Sequence, residues 1–168
     1  RGVYVGAAAN LAAARRKGAA RLDKAVAAEL APLRLEKAKF VTGLSTVPEA
    51  EWSEHGTERI QFMVATNPGT PPAPIARIAS GGELSRFLLA LKVCLARAGD
   101  APTIVFDEVD SGVGGATAAA VGERLRRLAK DVQVLVVTHS PQVAALADRQ
   151  WLIRKTTTRN AASTDVLA

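Results

Sequence analysis

The second half of the chain leaves few folds open to it. Two short apolar runs, TIVF at 103–106 and VQVLVVT at 132–138, lie on either side of a helical stretch over 115–130. Short apolar runs without alternation suit strands buried on both faces of a parallel sheet. A helix over 83–98 precedes the first run, with Leu84, Phe87, Leu88, Leu91 and Leu95 spaced onto one face. Ser140 before Pro141 marks the start of a short helix, and QWLIRK at 150–155 reads as a further strand. This alternation predicts an α/β domain, a layered parallel sheet with flanking helices.

The first half is built differently. Residues 7–31 are rich in Ala, Leu, Arg and Lys and contain no proline, which is helix composition, and Pro32 marks the end. Leu11, Leu22, Val26 and Leu30 mark one face without a sustained heptad, so a lone helix and the end of a coiled coil both fit. Residues 37–45 and 58–65 alternate as strands, with Ile60, Phe62 and Val64 on one face, and predict an antiparallel pair. The proline-rich stretch 66–74 reads as a loop without regular structure. The organisation expected is a helix over 1–32 and an α/β unit over 33–168.

Charge divides the same way. Residues 1–40 hold nine Lys and Arg against three Asp and Glu, whereas 41–168 hold thirteen of each. A basic segment of this kind suits a polyanion such as DNA, or is a solvated helix face. The apolar content of 48% and mean hydropathy of +0.10 belong to a globular chain. No apolar run approaches the ~20 residues of a membrane helix, so a soluble, intracellular protein is expected. A single cysteine, Cys94, excludes an internal disulfide framework, and its spacing from Leu84, Leu88 and Leu91 predicts a buried thiol.

Three short motifs carry chemistry. Ser80-Gly81-Gly82-Glu83 matches a capping box, yet two glycines also bare amides at a helix start, where the dipole favours an anion. Asp107-Glu108 follow TIVF at the carboxyl end of a strand, the edge where α/β sheets place ligands. One carboxylate there can hold hydrated Mg²⁺ while its neighbour orients a water; the plainer reading is a pair of solvated acids. Asp110 follows in a flexible loop ending at Gly114-Gly115. His139 stands just past the second apolar run, able to donate to a phosphate oxygen or simply to cap a turn.

Their order and spacing resemble the head of an ABC-type ATPase. Ala79-Ser80-Gly81-Gly82-Glu83 looks like the signature motif, Asp107 like the Walker B aspartate and Glu108 like the catalytic glutamate, while Asp110 falls in the D-loop and His139 at the switch histidine. The longer strings NPGTPPAPIARIASGGELSRFLLALK, FDEVDSGVGG and VTHSPQVAALAD closely resemble the RecN family of SMC-like ATPases, most densely over 66–148. Ala79 and Glu83 depart from the Leu and Gln of the commonest signature. No G-x-x-x-x-G-K-[ST] occurs, so the chain has no P-loop.

The resemblance implies the C-terminal lobe of such a head, completed by an N-terminal lobe with the P-loop and entered by a returning coiled-coil helix. It implies ATP and Mg²⁺ as cofactors, Ser80, Gly81 and Gly82 facing the γ-phosphate held by a second head, Glu83 and Asp110 also among the nucleotide-binding residues, and Asp110 linking the two sites. Asp107 then serves the metal, Glu108 the attacking water and His139 the γ-phosphate. An ATP-dependent homodimer, DNA as partner and a cytoplasmic, nucleoid-associated role in double-strand-break repair and recombination follow. Two readings compete with it: a non-catalytic DNA- or partner-binding module, and the head of another SMC or ABC ATPase, transporters included.

Overall fold

A computed structural model describes residues 1–78, 80–95, 102–157 and 162–167. The chain opens with α1 (Gly2–Leu30), β1 (Lys39–Thr46), β2 (Glu58–Ala65) and the two-residue β3 (Ala73–Pro74). It continues through α2 (Gly81–Leu95), β4 (Thr103–Asp107), α3 (Gly115–Leu128), β5 (Gln133–Val137) and α4 (Pro141–Ala144), and ends in β6 (Leu152–Thr157) and β7 (Ala162–Leu167). β4 and β5 run parallel, with Asp107 opposite Val137. The antiparallel pair β1–β2 sets Phe40 opposite Val64 and Leu44 opposite Ile60. The result is an α/β fold: a parallel pair flanked by helices, preceded by a long helix and an antiparallel strand pair.

Alanine-rich composition lets α1 run for 29 residues. Pro32 sits in a single 3₁₀ turn at its end. Arg34 then takes a left-handed φ of 59°, and the Leu35 N–H closes back on the Leu30 carbonyl at 3.0 Å, which turns the chain out of the helix. Asp23 fixes β1 along α1, because one carboxylate oxygen accepts both the Thr42 N–H at 2.8 Å and the Thr42 hydroxyl at 2.7 Å. Farther up the helix, the Tyr4 ring stacks on Trp52 at 5.7 Å and the Tyr4 hydroxyl donates to the Ser53 carbonyl. The β1–β2 connection is thereby laid against the first turns of α1.

One hydrophobic cluster joins these parts. Val26 and Leu30 of α1, Phe40 and Val64 of the strand pair, Phe87 and Leu89 of α2, Phe106 of β4, and Val121 and Leu125 of α3 are all buried in it. Burying each such side chain stabilises by about 1.5–3 kcal/mol. A charged contact crosses the same region: Glu29 of α1, itself buried, receives Arg124 at 3.2 Å and also pairs with Arg127, both from α3. Cys94 lies nearby, partly buried; burial first, then the Glu29 charge, pushes its thiol up, so it stays protonated, as a packing thiol should.

Several expectations are corrected. The two apolar strands are not covered on both faces: Val105 is 58% exposed and Val137 50%, while Phe106 points into the core. Among the described residues the strand expected at 150–155 does not join the layered sheet; there β6 pairs with β7 alone, Leu152 opposite Leu167. The loop at 66–74 is not wholly irregular, since Ala73 and Pro74 pair with Val64 and Met63. On α2 the buried residues are Phe87, Leu89, Ala90 and Leu91, whereas Leu88 and Leu95 are exposed. Residues 96–98 of that expected helix lie outside the described residues. Ser140 does precede α4, but its hydroxyl donates to Gln142 Oε1 rather than capping a backbone N–H.

Gly122 is where α3 and α4 meet. A Cβ there would lie 2.7 Å from Leu146 Cδ1 and 3.3 Å from Val143 Cα. Gly122→Ala is therefore expected to destabilise the fold, because overpacking costs about 1–3 kcal/mol and the gain in helix propensity, up to ~1 kcal/mol, offsets only part of it. A lower urea midpoint with unchanged slope is the expected reading; an equal or higher midpoint refutes the close packing.

Candidate nucleotide-binding edge

The site begins where the parallel pair ends. Parallel strands bring their carboxyl ends to one edge, so Asp107, last in β4, lies beside Val137, last in β5. The Glu108 N–H donates to the Val137 carbonyl at 3.0 Å, which carries the pairing one residue past the strand. Glu108 itself has φ 47°, a left-handed conformation that costs a non-glycine residue roughly 1–2 kcal/mol. Such strain in an exposed acid makes Glu108 a candidate functional position. Thr138 and His139 follow β5 on the same edge, and His139 is exposed.

The tip of α2 comes to this edge too. Ser80 is exposed, its hydroxyl accepts the Glu83 N–H at 3.4 Å, and its carbonyl accepts the Leu84 N–H at 3.0 Å. Half of the expected capping box is thus present, at the long end of hydrogen-bond geometry. The two glycines differ in role. A Cβ on Gly82 would sit 3.0 Å from the Ser111 carbonyl, so glycine permits the acidic loop to approach the helix tip. A Cβ on Gly81 would meet nothing within 4 Å, so that position simply stays bare. Ser80 and Glu83 also line an open cleft of about 330 Å³ with Thr66, Pro71 and Arg77. Ala79 lies outside the described residues.

Asp110 lies in the loop after β4, where it was expected, but its carboxylate is fully buried, 0% exposed. Thr138 Oγ1 donates to its Oδ2 at 2.5 Å, and Oδ1 is buried without a hydrogen-bond partner among the described residues. Thr138 in turn accepts the Ser140 N–H at 2.9 Å. Sequence reasoning passed over Thr138; the signal available was a hydroxyl directly before His139, one a buried acid across the edge needs as donor. Arg86 Nε, one turn along α2, is another buried atom without a hydrogen-bond partner among the described residues.

The edge therefore gathers a helix tip left bare at Gly81, two exposed carboxylates and an exposed histidine. Among the described residues no cluster of three or more His, Cys, Asp or Glu could hold a metal ion alone. Asp107 is a hard carboxylate donor of the kind Mg²⁺ takes when waters and substrate phosphates fill its other positions, and Glu108 stands beside it.

Comparison with known proteins supplies the family. No protein-family profile matches the chain. The DNA repair protein RecN of Streptomyces coelicolor is 45% identical over 161 residues, covering 90% of this chain and 28% of the relative. Over this span the chain belongs to the RecN family. It accounts for little more than a quarter of the length of that RecN protein. The fold extends beyond RecN: the SMC head of Pyrococcus furiosus with its extended coiled coil, bound to the C-terminal domain of ScpA, superposes with a TM-score of 0.64 at 21% identity, covering 92% of this chain and 36% of that one. A structure from work on ATP-driven dimerization and DNA-stimulated activation of SMC ATPases superposes at 0.53 and 19%, covering 92% and 86%. The RecN segment thus has the fold of an SMC head, and among its described residues no helix is long and apolar enough to cross a membrane.

Proposed function

We propose that this chain is the signature-bearing lobe of an ATP-hydrolysing head in a RecN-type DNA repair protein. The observation that carries the reading is the meeting of three separate motifs on one sheet edge, with the α2 tip against the acidic loop at Gly82 and Ser111. In this reading a P-loop lobe elsewhere in the full protein supplies the lysine that this glycine loop lacks. Two surfaces support a missing neighbour: Val105, Leu135 and Val137 leave one face of the β4–β5 pair open, and Leu88 of α2 lines a small cleft with Val105 and Asp107.

The chemistry follows from placement. Glu108 orients and deprotonates the attacking water, Asp107 holds the metal, and His139 contacts the γ-phosphate. The bare amides and dipole of α2 gain most when a second head presents that phosphate, so ATP joins two heads and hydrolysis releases them. Positioning and electrostatics supply most of such a phosphoryl transfer. ATP-driven dimerization named for an SMC ATPase of this fold supports the pairing. Exposed Lys17, Arg21 and Lys24, spaced along one face of α1, suit DNA phosphates near a coiled-coil root. The cell role proposed is double-strand-break repair and recombination at the nucleoid.

The test is reconstitution. This chain alone is expected neither to bind nor to turn over ATP, and co-expression with the P-loop-bearing N-terminal lobe is expected to restore both. ATP hydrolysis by the chain alone, or an inactive reconstituted head, overturns the reading.

A further inference from the structure

We infer that Asp110 and Thr138 form an internal latch that holds His139 in register with Glu108. The inference rests on the proposed nucleotide site and assigns Asp110 a positioning role inside one chain. A fully buried carboxylate must find donors, because it has lost its water. Here Oδ2 has one, the Thr138 hydroxyl, and Oδ1 has none among the described residues. A hydrogen bond between buried partners is electrostatically stronger than the same bond in water.

The bond sits at a useful junction. The acidic loop folds on itself, Ser111 N–H to the Glu108 carbonyl at 2.9 Å and Val113 N–H to the Asp110 carbonyl at 3.2 Å. That folded loop touches the end of β5 twice: through Glu108 N–H to the Val137 carbonyl and through Asp110 to Thr138. Thr138 then accepts the Ser140 N–H, so one hydroxyl grips both the acid and the residue after His139. His139 is held between its two neighbours, and Glu108 is two residues from the acid. Any shift of the acidic loop is passed to the histidine through Thr138. Valine in its place keeps the shape but leaves the buried carboxylate without its described donor, so the loop must open to water.

The full-length protein carrying Thr138→Val or Thr138→Ser tests this. Thr138→Val is expected to lower kcat for ATP hydrolysis about tenfold while KM changes less than about twofold, and Thr138→Ser to restore kcat. Hydrogen exchange should quicken together in peptides spanning 107–114 and 136–141 of the valine variant and in neither for serine. The double variant Asp110→Ala/Thr138→Val should be no slower than the worse single variant. Unchanged exchange in either peptide, or a serine variant no better than valine, overturns the latch. Failure of the nucleotide reading looks different: Glu108→Gln then keeps full turnover, and the paired exchange response alone upholds or overturns the latch.

Discussion

Glu108→Gln in the full-length protein is expected to bind ATP at near wild-type affinity and to hydrolyse it about 10²–10⁴-fold more slowly. The amide keeps the size and hydrogen-bonding reach of the side chain but cannot take a proton from water. The backbone strain at φ 47° stays, so the fold should be unaffected. With hydrolysis blocked and the γ-phosphate retained, the variant should accumulate as an ATP-dependent dimer, read by sedimentation with and without nucleotide. Asp107→Asn should instead weaken Mg²⁺-dependent nucleotide binding. Wild-type turnover by Glu108→Gln would remove the general base from the proposal.

Phe87→Ala should be the most damaging single change to the fold. The ring is fully buried, and α2 is held on one side by α1 and on the other by α3. Removing it costs about 3–5 kcal/mol, a large share of the 5–15 kcal/mol that holds a domain of this size. Leu88→Ala, one residue later, should cost less than about 1 kcal/mol in this chain, because Leu88 is 39% exposed. In the full-length protein the Leu88 cost should rise, if the neighbouring lobe covers it. Chemical denaturation of both variants in both contexts checks the pair; equal losses in this chain refute the assigned helix face.

That helix face shows where sequence reading reached its limit. The spacing of Leu84, Phe87, Leu88, Leu91 and Leu95 defines a face correctly for an isolated amphipathic helix. Leu89 and Ala90 are buried instead because α2 is covered from two directions, so its buried arc is wider and rotated. The short apolar strands were read correctly as a parallel pair, yet their apolarity matches more cover than this chain provides: Val105 and Val137 are left open. β6 could not be placed from its own residues, because a strand's partner is fixed by register and neighbours rather than by composition.

The site was legible for a related reason. Bare glycines at a helix start, an acidic pair after an apolar run and a histidine after another are each local patterns, and parallel pairing brings strand ends to one edge whatever fills the loops. Sequence by itself therefore determined the main helices and strands, the edge and the residues that stand on it. Only the tertiary structure decided that Asp110 is enclosed and Thr138 is its partner, since burial and hydrogen bonding between residues 28 apart depend on how two loops pack. It alone also decided that Gly82 is there for the Ser111 carbonyl, a contact that no helix pattern encodes because it exists only once the acidic loop has folded over the tip.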